Sequence, residues 1–309
     1  MSVSLRVLLC VLMLFLQVFL TCSCRVQKEE SLQPARGEFS VMSFNLQHYG
    51  LEDRDGDGQR NDPKPEKERR AVLKTITHVN PDILVLQEMG NPVIYRSFKR
   101  DLTAAGLKYD NEEFIRRGQH ENNIAVLTRF PIVARQSHTN DTYSIGKANL
   151  HVARGIIDVD IEIAENYILR LMGAHLKSKV YHPLGQTEMR RNESRIIGQH
   201  VRSALKKDPS VRLLIVGDLN DLPNSAVLRE ITGSHKRVLT DIRPTDASGD
   251  TWTHRQAGID VYQRLDYMLA SPNLNNELVR QKTHVIDIPA TRTASDHRPL
   301  LVVFKTNAD

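Results

Sequence analysis

Several apolar runs in this 309-residue chain stop abruptly at a side chain that can do chemistry. FSVMSFN ends at Asn45, DILVLQE ends at Glu88, and NYILRLMGAHL carries His175 near its end. VRLLIVGDLN closes on Asp218 and Asn220, RLDYMLAS holds Asp266, and Asp296 stands beside His297 at the start of HRPLLVVF. Phosphoester hydrolysis needs a hard cation on the non-bridging oxygens, a base for water, and donors for the developing charge. Mg²⁺ takes oxygen ligands and keeps several waters, so one or two carboxylates and an amide suffice. An imidazole held in one tautomer by a carboxylate is the usual base. The ends of these runs supply every part.

Each residue alone has a plainer reading. Asn45 fits a turn, Glu88 a solvated carboxylate, His175 a satisfied core histidine, and Asp296-His297 an ordinary turn. GDLND followed by Pro223 and Ser225 also fits a strand, a turn and a helix capped by Ser225.

The elements around them are legible from periodicity. A Gly-, Asp- and Asn-rich loop follows FSVMSFN. Pro65 sits where a helix begins, Glu66 and Glu68 lie near its positive end, and Val72, Leu73, Ile76 and Val79 recur at helical spacing until Asn80-Pro81. Further helices are predicted over 93–105 and 187–207, the latter with Ile196, Ile197, Val201 and Leu205 on one face. The remaining runs, including NIAVLTR and RGIIDVDIEI, alternate as strands. No repeat or linker interrupts 39–305, which is one α/β domain.

The ordered motifs SFN, LQE, GAHLKS, GDLND, RLDY and SDHRP over residues 40–304 resemble the endonuclease/exonuclease/phosphatase superfamily. That resemblance implies a deoxyribonuclease-like four-layer fold, a two-sheet sandwich flanked by helices, with the motif residues gathered in a cleft at one edge. It implies Mg²⁺, with Mn²⁺ as a substitute, held by Glu88 with Asn45 and Asp296. His297 would prepare water, oriented by Asp266. Asp218 and Asn220 would position nucleophile and phosphate, and His175 would donate to a phosphate or leaving oxygen. One position departs from the abasic-endonuclease branch, which has Asp two residues after the Asn where this chain has Gln47.

Other features lie outside the motifs. Asp53, Asp55, Asp57 and Gly58 are spaced like the start of a calcium loop, yet the twelfth position is Lys64 rather than Glu. The alternatives there are structural Ca²⁺ and a solvated acidic turn. Lys177, Lys179, Arg190, Arg191 and Arg195 either grip substrate phosphates or form a solvated helix face partnered by Glu188 and Glu193. Trp252 and Tyr262 either stack on a base or sugar or belong to the core.

Arg6, the apolar run Val7 to Leu20 and the small residues after it describe a secretory signal over residues 1–24. All three cysteines, Cys10, Cys22 and Cys24, lie in that segment, so the domain beyond it has no disulfide framework. A cysteine closing the run resembles a bacterial lipoprotein box, imperfectly matched at Cys22 or Cys24. The expectations are a lipoprotein at the cell envelope or simple secretion, with residues 25–38 as a polar tether. The net charge of +5 leans the surface toward polyanions. The leading function is therefore an exported nuclease acting on extracellular nucleic acid. The alternatives are a phospholipid-headgroup or sugar-phosphate esterase and a non-enzymatic surface protein binding phosphoryl ligands. No protein partner is implied, and a membrane enters only through a lipid anchor.

Overall fold

The structure is a computed structural model and describes residues 32–117, 122–233, 238–256 and 258–306. The segment read as a signal, 1–24, and residues 25–31 of the expected tether lie outside the described residues. In chain order, the strands of the two main sheets are β1 (Glu38–Tyr49), β2 (Ile83–Met89), β3 (Asn111–Ile115), β4 (Asn123–Thr128), β5 (Ile132–Arg135) and β6 (Ile156–Ala164). They continue with β7 (Tyr167–His175), β8 (Arg212–Asp218), β9 (Thr240–Asp241), β10 (Asp266–Ala270), β11 (His284–Val285) and β12 (Leu300–Lys305). The first sheet has the order β11-β12-β1-β2-β4-β3 and the second β9-β10-β8-β7-β6-β5. The helices are α1 (Glu66–Val79), α2 (Pro92–Ala104), α3 (Gln186–Lys207), α4 (Ala226–Thr232), α5 (Pro272–Asn276) and α6 (Pro289–Ala294).

The central strands are apolar on both faces because both faces are covered. Val41, Val85, Val126, Ile157, Leu171, Leu214 and Val302 form the layer between the sheets, all fully buried or nearly so. Ile197 and Val201 of α3 and Val227 and Ile231 of α4 cover Met172, Ile215 and Leu269 on the outer face of the second sheet. In the opposite layer α1 packs against α6. The four-layer sandwich is the one expected from the motifs.

Two strand pairs are parallel, β1 with β2 and β7 with β8. A parallel pair needs a long crossover, and α1 and α3 provide one each. Ligands of α/β sheets bind beyond the carboxyl ends of such strands. Those ends carry Asn45, Glu88, His175 and Asp218. Just beneath them the sheets approach closely: a Cβ built on Gly173 would lie 3.4 Å from Val85 Cγ1 of the facing sheet.

Candidate active site

Asn45 and Glu88 reach the cleft through irregular pairing. Asn45 pairs with Gln87 and Tyr49 with Met89, so β1 uses four steps where β2 uses two. On its other side β2 slips too, from Leu86–Ala125 to Met89–Asn123. Such bulges re-aim side chains. Glu88 ends in the left-handed region at φ +59°, with Gln47 at +48° and His48 at +52°. A non-glycine residue there costs ~1–3 kcal/mol. The turned carboxylate accepts from Asn45 Nδ2 at 3.2 Å and from the His48 amide at 2.8 Å.

The second sheet lines up its contribution in one row. His175 pairs with Asp218 across β7–β8, and Asp218 pairs with Asp266 across β8–β10. Gly217 makes this close approach feasible, since a Cβ there would lie 2.0 Å from the Ala174 carbonyl oxygen and its φ is +135°. Asn220, at φ +53°, turns back so that its amide donates to Asp218 Oδ1 at 2.8 Å. Its Nδ2 donates to the Leu176 carbonyl at 3.0 Å. Ser225 does cap α4, accepting from the Leu228 amide, so the plain reading of this turn and the chemical one both hold.

Residues 295–297 bind the two rows together. Ser295 Oγ donates to the Asn45 carbonyl at 2.8 Å and accepts from the His297 amide at 3.0 Å. His297 Nδ1 lies 2.8 Å from Asp266 Oδ2, and its Nε2 lies 3.9 Å from Asp218 Oδ2. Asp218 Oδ2 also accepts from Asn45 Nδ2 at 3.1 Å. Gln47, the departure from the abasic-endonuclease pattern, accepts the Asp296 amide on its Oε1 at 3.1 Å. Asn45, Glu88, His175, Asp218, Asn220, Asp266, Asp296 and His297 are thus brought into one cluster.

Charge is concentrated here. Burial and the neighbouring Asp266 push the Asp218 carboxyl up to about 7, against the pull of His297. Burial works to lower His297, but Asp266, Asp218 and Asp296 win and hold it up at about 10. Burial first, then Arg154, keeps His175 well below the usual imidazole range. Its Nε2 is 3.6 Å from Asp218, and its Nδ1 is a buried nitrogen with no hydrogen-bond partner among the described residues. Burial raises the Asp296 carboxyl, but His254 and His297 bring it below the ordinary range. Four carboxylates and an amide oxygen are the donor set a hard divalent cation takes. The raised Asp218 marks negative charge that the imidazoles leave uncompensated. Ligand atoms of Asp218, Asp266 and His297 lie within 4.8 Å of one another, as do those of His254, Asp296 and His297. The residues present therefore fit a divalent metal.

The basic residues divide. Lys179 Nζ donates to Gln263 Oε1 at 2.9 Å, linking the loop after β7 to the hairpin His254–Gln263, and it feels the charge of Asp218. Lys177 lies beside His175 and Arg154. Arg190 is buried, pairs with Asp221, and holds the carbonyls of Lys177 and Ser178. Arg191 instead faces Glu230 of α4, and Arg195 bonds Asn192 one turn back. Those two share no contact with the cluster among the described residues.

Glu193, read as a possible solvated partner, is buried and accepts from the amides of Ala153 and Lys177. Its signal was its place in the buried stripe Met189, Glu193, Ile197, Val201. His48, His254 and Thr253 carried no such signal, and Ser295 only its place at the head of SDHRP. Trp252 has the Arg298 guanidinium 3.3 Å over its ring, which takes one face from any base. Tyr262 is exposed and meets Trp252 edge-on. The Asp53, Asp55 and Asp57 carboxylates accept from backbone amides of their own loop. Lys64 is buried, donating to the Gln47 carbonyl and pairing with Glu68.

Comparison with known proteins agrees with this geometry. Residues 42–297 match the model of the Endonuclease/Exonuclease/phosphatase family. No curated protein matches the chain by sequence. Among solved structures, the human Nocturnin catalytic domain with bound sulfate anion is similar at TM-score 0.63 and 19% identity, covering 88% of this chain and 96% of that one. Truncated Caenorhabditis elegans TDP2 gives TM-score 0.58 at 19% identity, over 87% and 98%. An endonuclease/exonuclease/phosphatase from Beutenbergia cavernae gives 0.60 at 20%, over 87% and 72%. At these identities the likeness speaks for the fold, while the matched family model and the clustered carboxylates and imidazoles speak for the chemistry. The chain belongs to the endonuclease/exonuclease/phosphatase family and is a metal-dependent phosphoesterase.

Proposed function

We propose that this phosphoesterase is an exported, Mg²⁺-dependent nuclease that cuts phosphodiester bonds in extracellular nucleic acid. The observation that carries the reading is the meeting of Asn45 and Glu88 from one sheet with Asp218 and Asp266 from the other, closed by His297. Glu88, Asn45 and Asp296 would hold the ion, which when bound neutralises charge on the non-bridging oxygens. Asp218, whose carboxyl is raised by burial and by Asp266, is the group suited to take a proton from water. His297, held cationic by Asp266, grips a phosphate oxygen in this assignment rather than taking the proton as the motif resemblance implied. Asn220 positions the same water, and neutral His175 donates to a phosphate or leaving oxygen.

Support for a polyanionic substrate comes from the charge of +5, from Lys177 and Lys179 beside the cluster, and from exposed Tyr262 on the neighbouring hairpin. Export rests on the sequence of residues 1–24. Among the described residues, no helix is long and apolar enough to cross a membrane. The test is plasmid and RNA incubated with the purified protein and Mg²⁺ or Mn²⁺. Cleavage supports the reading, and intact nucleic acid with both ions sinks it. Mass spectrometry of the N-terminus recovered from the producing cell tests export, which an intact Met1 would contradict.

A second reading has one observation in its favour. Val180 and Tyr181, in the loop that carries Lys177 and Lys179, are 71% and 79% exposed, which suits contact with lipid around a headgroup ester. Release of phosphocholine from sphingomyelin vesicles without nucleic-acid cleavage would select it.

A further inference from the structure

A second cluster of metal-type ligands lies away from the cleft, between the outer face of the second sheet and α3. His138 follows β5, and its backbone pairs with Ile156 in both directions at 2.8 and 2.9 Å. His200 comes from α3, and Asp141 from the loop after His138. The two imidazoles stack with centroids 3.7 Å apart and planes 18° apart. His200 Nε2 lies 2.7 Å from Asp141 Oδ2, and one ligand atom from each of His138, Asp141 and His200 lies within 4.8 Å of the others. The three side chains are 21%, 28% and 24% exposed, open enough for an ion to enter and too covered to be a freely solvated trio.

The surroundings set the chemistry. Asp158 is fully buried and gripped by Arg170, with Nε to Oδ1 at 2.9 Å and Nη2 to Oδ2 at 2.6 Å. His138 Nε2 lies 3.1 Å from Asp158 Oδ2. A carboxylate against one ring nitrogen is the support that metal-binding histidines use. Among the described residues Asp141 has no ion pair except with His200, so its charge is available to a cation. Two imidazole nitrogens and one carboxylate oxygen suit a borderline ion such as Zn²⁺, whereas Mg²⁺ and Ca²⁺ prefer all-oxygen sets.

We propose that His138, Asp141 and His200 form a second metal site, for a divalent ion of the zinc class, that staples α3 to the edge of the second sheet. Stacked rings do not aim both lone pairs at one point. Uptake therefore turns the His200 ring about its terminal torsion, which is broad and soft. The site is independent of the catalytic centre and of what that centre cuts.

The experiment strips the purified full chain with a chelator and titrates it with Co²⁺ as a visible probe and with Zn²⁺ alone. Wild type, Glu88→Gln and the double variant Asp141→Asn/His200→Gln are compared. The expected result is one equivalent of Co²⁺ less in the double variant than in wild type, with loss of an imidazole-type visible band that Glu88→Gln keeps. Zn²⁺ should raise the melting temperature of wild type and Glu88→Gln by several degrees through mass action, and that of the double variant by clearly less. Equal Co²⁺ uptake and equal melting shifts in wild type and the double variant overturn the proposal. If the double variant is unfolded by circular dichroism, the single Asp141→Asn, whose side-chain oxygen still accepts from His200, takes its place with the same two outcomes.

Discussion

His297 and Asp266 belong to different sheets and meet at 2.8 Å, Nδ1 to Oδ2, both buried. Asp266 opens β10 of the second sheet, and His297 stands just before β12 of the first. The pair is therefore a clasp across the sandwich as well as the contact that holds the imidazolium in place. His297→Ala should lower kcat by roughly 10²–10³-fold, the usual loss when one donor to the developing charge is removed. Asp266→Ala should be the milder of the two. Steady-state rates on a chromogenic phosphodiester check both, and wild-type rates in either variant would refute the assignment.

Glu88 holds its carboxylate in the left-handed region. Glycine there suffers no such steric penalty, so Glu88→Gly should abolish metal-dependent turnover while leaving the fold at least as stable. The gain is expected to be up to ~1 kcal/mol. Urea unfolding in chelator measures it, and a marked loss of stability would show that the Glu88 hydrogen bonds outweigh the backbone cost.

The raised Asp218 carboxyl gives a signed pH effect. Its folded value is about 7, above the ~4 of an unfolded Asp. Its neutral form therefore favours the native state below about 4, and that contribution is lost as pH rises through about 7. In chelator, the stability cost of Asp218→Ala should accordingly shrink between pH 4 and pH 8. Urea midpoints of wild type and variant at the two pH values test this. A cost that grows with pH would reverse the assigned sign. Turnover should vanish in the variant throughout.

Glu193 is a buried carboxylate whose oxygens accept from Ala153 at 3.0 Å and Lys177 at 2.7 Å. It fixes the two loops that carry Arg154 and Lys177 beside His175. Glu193→Ala leaves both amides unpaired, at ~1–3 kcal/mol for each buried group, and should raise KM more than it lowers kcat. Thermal melts and full saturation curves measure the two effects. Unchanged stability would mean that water replaces the carboxylate fully.

Lys177→Ala should raise KM for nucleic acid and reduce the slope of log KM against log salt by about one phosphate contact. A short neutral-leaving-group diester should respond little. Equal effects on both substrates would mean that Lys177 acts on the reacting phosphate alone.

The cluster was legible in sequence because apolar runs of strand length end at Asn45, Glu88, His175 and Asp218, and parallel strands direct such ends to one side. Sequence does not show the bulges that turn Glu88 to positive φ, since these arise from a register shared with two neighbouring strands. Nor does it show Thr253, whose Oγ1 accepts the Leu265 and Asp266 amides, because that contact closes a hairpin with weak periodicity. Arg191 and Arg195 looked equivalent to Lys177 and Lys179 along the chain. The turn of α3 gives Arg191 to Glu230 instead, a direction that charge alone does not encode. The two-residue strands β9 and β11 are too short for alternation to register.

The side chains suited to an ion and those suited to moving protons hang from opposite sheets, so a hydrocarbon spacer gauges the gap between them. At Gly173 no side chain stands between its backbone and Val85 of the facing sheet. A methyl there would just fill the remaining gap, in ordinary contact with Val85, Ile157 and Ile124, and only a larger side chain would act as a shim. The working dimension of this cleft is thus machined from oily residues that never touch a substrate.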